Sequence, residues 1–580
     1  MVVDVIAASL PLMIVAVLIV GFLWPATRAM PIAWLAALII GYVMWNNPPE
    51  YLAAASIVGV MTALEILWIV FGALVLLYTL MQVGAFDRIN RGFTAISDDR
   101  RVQIVLLGFL LATFIEGAAG FGTPAAVVAP LLLALGFPAL AAVLAALIGH
   151  IIAVTYGAVG TPIIVGIQDP LASVSFTREA IQSEGMSVSE YSVEVAAWAA
   201  TYHALVGFVM PLFAVAMVVY FFSPKGERSI KPALSVWPLC LFAGVAFAVP
   251  YWLSAWFLTA EFPSLIGAMV GAAIVVPTLR AGYFLPEDEW DFPPRSEWPD
   301  HWVGTIEPGS NGSEAAEAAQ ASSGGRSMSL FKAWSPYVFL VLLLVVTRVI
   351  EPISEFLTSS LFVLEWTDIL GTPHEAGIEW GFAPGMWLLA SAIIAIPLFR
   401  MNGTEVKNAW REAGEKIVSP LIALVFVIAM VQVMLLSGEA PNAPDVGSMI
   451  EVLAVATANV FGPVYPAIAP LIGALAAAMT GSNTASNITF GAFQFEAASE
   501  LGLPTQIIVG AQAVGGAIGN LVAIHNIIAA LATVGLVGEE GRIMRLNLIP
   551  LVYYAVFVGF WVMLFVYVMP DVFPEVFDVF

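Results

Sequence analysis

The sequence is poor in charged residues and in cysteine. Only 11% of its 580 residues are Asp, Glu, Lys or Arg, against about 25% in an ordinary soluble domain. So few charges cannot cover the surface of a water-soluble protein, and a single cysteine, Cys240, excludes a disulfide-stapled fold. The chain is 60% apolar, which excludes disordered and collagen-like classes. The composition therefore predicts an integral membrane protein that crosses the bilayer many times.

Basic residues are also scarce. The chain has 20 basic and 42 acidic residues, a net charge of −22, and only five lysines. This sign of charge excludes a nucleic-acid binder. Acidic loops with little lysine suit a protein bathed in concentrated salt, which screens surface repulsion. We therefore expect a halophilic source, and activity that falls between dilute buffer and molar salt would contradict it.

Apolar runs predict an all-α polytopic protein with about 12 to 14 membrane segments, because a helix needs about 20 apolar residues to cross the hydrocarbon. We divide the chain into N-terminal membrane helices (1–101), a first broken-helix block (102–191), scaffold helices (192–282), a flexible cytoplasmic linker (283–329), further scaffold helices (330–445), a second broken-helix block (446–538) and a C-terminal helix (539–580). The linker is assigned from its Pro, Gly, Ser and acidic residues, which show no apolar period.

Lys and Arg set the orientation, because they concentrate in cytoplasmic loops. With the N-terminus outside, every basic residue except Arg178 and Arg348 falls on the inside. The predicted outer loops, 168–191 and 351–383, lean acidic. We therefore expect a multi-pass protein of the cell membrane with its linker in the cytoplasm.

Two apolar runs are interrupted by small and polar residues. The first interruption is residues 113–124, TFIEGAAGFGTP, and the second is residues 480–489, TGSNTASNIT. Each is followed by a second glycine cluster, at 156–162 and 515–520. The charge map makes the first block run from inside to outside and the second from outside to inside. This layout predicts two inverted-topology repeats with broken or re-entrant helices.

Such interruptions are typical of binding sites inside a membrane. Irregular backbone leaves N–H and C=O groups unpaired, so it persists only where it lines a cavity or is buried in protein. Broken helices also present N-terminal ends, whose free N–H groups attract anions. We expect an anionic organic substrate there. The alternative is that the small residues only allow close helix packing, without any ligand.

Glu116 is the leading candidate for proton coupling, because a carboxyl group in a low dielectric exchanges protons readily. His150 and His525 lie near the second glycine clusters and are candidates for the same role, although each could equally be a core residue. Glu65 is better explained as structural, and His203 is a weaker candidate. The candidate substrate-binding residues are Gly117, Gly120, Gly122, Thr123, Thr480, Ser482, Asn483, Thr484, Ser486, Asn487, Gln494, Gln512 and Asn520.

Three segments carry a resemblance to the L-lactate permease family. They are residues 114–124 (FIEGAAGFGTP), 480–487 (TGSNTASN) and 532–538 (ATVGLVG). The resemblance implies secondary transport of L-lactate, or of a related 2-hydroxy monocarboxylate such as glycolate, together with protons. It also implies a fold in which two re-entrant hairpins belong to a moving domain.

The chain departs from the family pattern at several positions. Asn483 stands where the family commonly has Asp, Asn520 where it has Lys, and His150 where it has Asn, while residues 524–525 replace a Pro-Gln pair. These departures leave the substrate and the coupling ion open, and the linker looks like an addition.

We expect a proton symporter that works by alternating access. A sodium-coupled carrier of another organic anion and a passive anion channel are the alternatives. The expected partners are a small organic anion, a coupling proton or sodium ion, and the lipid bilayer, with a homodimer left open. No enzyme motif such as HExxH or GxSxG and no metal-spaced cysteines occur, so we expect no catalytic residues, metal or cofactor.

Overall fold

A computed structural model describes residues 2–569, apart from residues 23, 95, 121, 225, 227, 307, 309–327 and 537. Within these residues twelve helical stretches are long and apolar enough to cross a membrane. They are Val2–Ile19, Ala26–Val43, Pro49–Gln82, Arg100–Ala119, Ile151–Ser173, Trp237–Phe257, Pro263–Arg280, Leu330–Arg348, Gly403–Gly438, Met449–Thr480, Thr505–Thr533 and Glu540–Tyr567. A bent pair, Val188–Gly207 and Met210–Phe221, makes a thirteenth.

Shorter elements connect these spans. The helices are Ala85–Thr94, Thr123–Ala134, Ala139–Gly149, Ser175–Ser183, Lys231–Leu234, Glu351–Leu357, Pro384–Phe399 and Asn483–Glu500. Two strands, β1 (Leu364–Trp366) and β2 (Ala376–Ile378), form an antiparallel hairpin in the loop 351–383. The prediction of a helical polytopic membrane protein with broken helices is confirmed, and this hairpin is a small addition to it.

The first broken-helix block is a hairpin followed by a broken span. Helix Arg100–Ala119 ends at Gly120, and helix Thr123–Ala134 runs back from Gly122. Arg100 donates a hydrogen bond to the carbonyl of Leu135 at 2.5 Å, so the far ends of the two arms lie side by side. Gly120 and Gly122 have φ of 60° and 74°, which a residue with a side chain rarely adopts.

After the hairpin, helix Ala139–Gly149 continues into a second interruption before the span ends at Ser173. Ala158, Val159 and Gly160 have φ of 45°, 56° and 79°. Two consecutive non-glycine residues in the left-handed region are strained, and such strain is concentrated at functional sites.

The second block repeats this design. Helix Tyr465–Thr480 ends at Gly481, with φ of 75°, and helix Asn483–Glu500 returns beside it. Helix Thr505–Gly519 is then separated from helix Ile524–Thr533 by a short interruption.

The two blocks pack on each other reciprocally. Helix Thr123–Ala134 of the first contacts helix Ile524–Thr533 of the second, and helix Asn483–Glu500 contacts the broken span at 157–168. Asn487 donates to the carbonyl of Pro162 at 2.8 Å across this interface. Each hairpin therefore packs against the broken span of the other block, as two inverted repeats related by a pseudo-twofold axis do.

The remaining long helices surround the repeats. Pro49–Gln82 packs along Gly403–Gly438 and Pro384–Phe399, and Trp237–Phe257 packs against Pro263–Arg280. Helix Val188–Gly207 joins Trp237–Phe257 to the second repeat through Thr505–Gly519.

Part of the predicted linker is attached to the helices instead of being free. We call residues 288–305 the inner strap. Following the predicted orientation, we call the end of the molecule that carries this strap the inner end. Arg101 pairs with Asp99 at 2.7 Å and also contacts Asp288 of the strap. The backbone N–H of Trp290 donates to Asp99 at 3.0 Å, and Thr305 donates to the carbonyl of Gly535 at 2.8 Å.

Aromatic residues explain why the prediction of flexibility over 283–329 does not hold for the strap. Phe292 packs on Phe137 with ring centroids 5.0 Å apart, and Trp302 packs on Phe222 at 4.8 Å. The sequence interpretation weighed the Pro, Gly, Ser and acidic residues and overlooked these side chains. Residues 309–327 of the linker lie outside the described part of the chain.

Candidate functional site

The two interruptions meet at one central cavity of about 30 Å³. Its lining comes from both repeats: Glu116, Gly120, Gly122, Ala125, Leu147, His150, Val154, Gly157, Pro162, Gly481, Ser482, Asn483, Thr484, Asn520 and Asn526. Since one water molecule needs roughly 10–15 Å³ of such space, the cavity holds about two. It must widen before it can take an organic anion.

Two helix N-termini contribute to this lining. Gly122 precedes helix Thr123–Ala134 and has no side chain that could cap it. Ser482 caps helix Asn483–Glu500 by accepting the N–H of Ala485 at 3.3 Å. Because the first N–H groups of a helix have no partner within the helix, both ends present donors and positive dipole ends. Their convergence suits a carboxylate.

Glu116 is the acidic residue of the cavity. Its side chain is 4% exposed, and within the described residues its carboxyl group forms no hydrogen bond or ion pair. A Cβ atom on Gly157 would collide with Oε1 of Glu116, so the glycine leaves room for this carboxyl group. An unpaired buried charge is costly, and such residues in membranes are functional candidates.

The two candidate histidines differ in position. His150 lines the cavity, and its Nδ1 lies 2.6 Å from the carbonyl of Ala146. His525 lies behind Gly481, outside the cavity lining, and its Nε2 accepts the backbone N–H of Ala26 at 3.3 Å. The neutral ring therefore carries its proton on Nδ1, which is buried without a partner in the described structure.

Several predicted site residues form a satisfied network behind the cavity instead of lining it. Gln494 donates to Gln512 at 3.1 Å and accepts from Tyr465 at 2.6 Å. Gln512 donates to Ser486 at 3.1 Å, and Ser486 donates to the carbonyl of Gly473 at 2.9 Å. These side chains, together with Asn487, hold helix Asn483–Glu500 in place.

Three further candidates also lie outside the lining. Gly117 packs on Ser264, since a Cβ atom there would lie 2.9 Å from that side chain. Thr480 donates to the carbonyl of Ala476 at 2.9 Å. Thr123 begins the returning helix, and its N–H donates to Gly120 at 3.0 Å. The cavity is thus lined by Glu116, Gly120, Gly122, His150, Ser482, Asn483, Thr484 and Asn520 of the predicted set.

Asn526 is a cavity residue that the sequence interpretation missed. It donates to the carbonyl of Gly481 and to Asn520, both at 3.3 Å. Its Oδ1 would lie 3.2 Å from a Cβ on Gly122, so it bridges the tips of the two hairpins. A polar residue beside His525 at the start of an apolar helix is a signal that could have identified it.

A larger space, which we call the outer vestibule, opens beyond the cavity. Its volume is about 690 Å³, and its wall includes Ile164 and Val165, close along the chain to Pro162 of the cavity. It is lined by the carboxyl groups of Glu65, Asp169, Glu261, Glu365, Glu375, Glu379 and Glu439. Arg178 and Arg348, the two basic residues predicted to lie outside, both line it as well.

Burial and nearby charges shift the pKa values of two vestibule residues in the loop 351–383. Burial raises the pKa of Glu379, and the positive charge of Arg348 opposes this. Burial lowers the pKa of His374, and the carboxyl group of Glu439 opposes that shift. In the part of the chain that the structure describes, no cluster of His, Cys, Asp and Glu fits a metal ion.

Comparison with known proteins supports the resemblance seen in the motifs. The pattern of the L-lactate permease family matches residues 4–569. The chain is 27% identical to an L-lactate permease of Bacillus subtilis over 540 residues, covering 88% of this chain and 87% of the relative. It is 26% identical to an L-lactate permease of Escherichia coli, covering 88% and 86%. A glycolate permease of Escherichia coli is also 26% identical, covering 93% and 91%.

Proposed function

Because the chain belongs to the L-lactate permease family, we propose that it imports L-lactate, or a related 2-hydroxy monocarboxylate such as glycolate, by proton symport with alternating access. In this proposal it resides in the cell membrane with its N-terminus outside. The observation that carries the proposal is the cavity shared by both interruptions, which combines two helix N-termini with an unpaired carboxyl group.

The helix ends account for the anion. The N-termini of Thr123–Ala134 and Asn483–Glu500 offer backbone donors to a carboxylate, and Ser482 and Thr484 add hydroxyl groups. Among the residues that the structure describes, neither Lys nor Arg lines the cavity. Since a second carboxylate has no cation to meet there, a small monocarboxylate fits better than a dicarboxylate.

Glu116 accounts for the coupling. Ionised Glu116 and a bound carboxylate about 4 Å apart would repel each other by about 4 kcal/mol at an effective dielectric constant of 20. Protonation of Glu116 removes this repulsion, so proton binding favours substrate binding. By linkage the substrate favours the proton to the same degree. Symport follows if the cavity opens on each side only when it is doubly loaded or empty.

The test is uptake of labelled lactate, glycolate and succinate by the purified protein in liposomes, under separate proton and sodium gradients. We expect saturable uptake of lactate or glycolate, driven by an inward proton gradient, with counterflow against unlabelled substrate. Uptake driven only by a sodium gradient would identify sodium, and not the proton, as the coupling ion. Currents at channel rates without counterflow would instead indicate a pore.

A further inference from the structure

Arg178 and Arg348 both line the outer vestibule, but among the described residues only Arg348 forms an ion pair. Arg178 lies on helix Ser175–Ser183 and is partly buried. Its guanidinium group donates one hydrogen bond, from Nη1 to the carbonyl of Ala172 at 3.1 Å. Within the described residues it forms no ion pair. Since arginine has five N–H donors, most of them remain for water or a ligand.

Arg348, in contrast, is buried and held by an ion pair and hydrogen bonds. It pairs with Glu261 at 2.7 Å and donates to the carbonyl of Phe382 at 2.6 Å. Its guanidinium carbon also lies 3.7 Å from the centroid of the Phe382 ring. Its charge therefore fixes the wall of the vestibule and is not offered to the solvent.

The carboxyl group of Glu439 contacts the helix that carries Arg178, but it binds Ser175 at the start of that helix and not Arg178. Glu439 lines the vestibule but accepts the backbone N–H of Ser175 at 3.1 Å and its hydroxyl at 2.9 Å. The helix that carries Arg178 thus has its own first turn bound by a carboxylate, while its guanidinium group is left without one. The remaining lining is mostly acidic, so an entering anion meets attraction only locally.

We propose that Arg178 forms an outer docking site for the carboxylate group of a small organic anion, separate from the central cavity. The proposal rests on the proposed function, because it assigns the first contact of the transported anion. A guanidinium group binds a carboxylate through two parallel hydrogen bonds, and a vestibule of about 690 Å³ accommodates a hydrated monocarboxylate. Docking there raises the rate at which the anion enters from this side.

The first test replaces the charge and measures uptake far below half-saturation. We expect Arg178→Gln to lower this rate about three- to tenfold while the saturating rate stays within about twofold, because rim charges act on encounter. Arg178→Lys should keep part of the rate, since it keeps the charge but loses the paired hydrogen bonds. Arg228→Gln, which removes an exposed cation predicted on the inner side, is the control and should change neither rate.

A second test uses the scarcity of cysteine. Cys240 is fully buried, so Arg178→Cys gives one accessible thiol in the described structure. Labelling it with a positively charged methanethiosulfonate should restore uptake, and a negatively charged reagent of similar size should lower it further. Equal effects of both reagents, or equal loss of the low-concentration and saturating rates in Arg178→Gln, would overturn the docking site. Absence of lactate and glycolate uptake in the unmodified protein would instead overturn the proposed function.

Discussion

The inner and outer ends of the molecule are packed in different ways. At the inner end the strap packs aromatic rings against the helices and adds a carboxylate to a fully buried arginine, Arg101. At the outer end lies a vestibule of about 690 Å³, and its lining residue Ile164 is close along the chain to Pro162 of the central cavity, which holds only about 30 Å³.

The charged residues at the two ends also have different surroundings. At the inner end Arg101 and Asp99 form a buried, hydrogen-bonded ion pair, and removing one partner would leave an uncompensated buried charge. The outer charges line the vestibule, and most of them are carboxylates. Glu116 lines the central cavity, and in the proposed mechanism it carries the coupling proton.

The largest expected effect is on that central residue. Glu116→Gln keeps the shape of the side chain but cannot release a proton, so we expect exchange of labelled for unlabelled substrate to continue. Accumulation driven by a proton gradient should be lost. Uptake of labelled substrate into liposomes loaded with unlabelled substrate measures exchange. Uptake after a pH jump measures proton-driven accumulation. Unchanged accumulation would remove Glu116 from the coupling mechanism.

The next effect concerns the stability that the buried ion pair between Arg101 and Asp99 gives to the inner end. Asp99→Asn leaves Arg101 buried without its main carboxylate, and we expect a loss of about 3–5 kcal/mol in stability. Asp291→Asn removes another carboxylate in contact with this region, but its side chain is 66% exposed. We expect that variant to lose less than about 1 kcal/mol. Thermal unfolding of both variants in detergent compares these losses, and equal losses would contradict the burial of the Arg101–Asp99 pair.

A smaller effect concerns the strained backbone beside the cavity. Ala158 has φ of 45°, which costs an L-residue about 1–2 kcal/mol, so Ala158→Gly should stabilise the protein by up to about 1 kcal/mol. Ala145→Gly, inside helix Ala139–Gly149, should destabilise it by about 1 kcal/mol. If both substitutions changed the stability in the same direction, Ala158 would not be strained.

The smallest expected effect is a dependence on pH confined to the outer end. The folded state holds His374 with a lowered pKa, so its contribution to stability is lost as pH falls below the unfolded value of 6.5. Glu379 has a raised pKa and acts in the opposite direction, losing stability as pH rises above 4.5. Hydrogen exchange in the loop 351–383, expressed relative to the intrinsic exchange rate at each pH, should therefore increase as the pH falls from 7.5 to 5.5 in Glu379→Gln.

In a variant that also carries His374→Gln, this increase should be smaller. Exchange in the inner strap serves as the internal control, since the arginine of its buried pair stays charged throughout this range. A similar response at both ends would contradict the assignment to the outer loop.

Particular residues show how far the sequence could be interpreted. The polar interruptions at 113–124 and 480–489 were visible because Gly, Ser, Thr and Asn stand out within apolar runs, and both do line the cavity. Asn526 was not found, because a single amide in an apolar helix resembles a packing residue until its partner, Gly481, is known. Gln494 and Gln512 were attractive as polar side chains, yet they bond to each other.

The sequence by itself determined that the chain is a helical membrane protein with two oppositely directed, interrupted blocks, since hydrophobic length and basic-residue placement act locally along the chain. Only the tertiary structure decided which side chains meet in the cavity, that Arg178 forms no ion pair within the described part of the chain, and that the strap binds the inner end. Those outcomes depend on contacts between residues hundreds of positions apart, such as Thr305 with Gly535 or Asn487 with Pro162. No local pattern encodes such contacts, because they arise from the packing of whole helices.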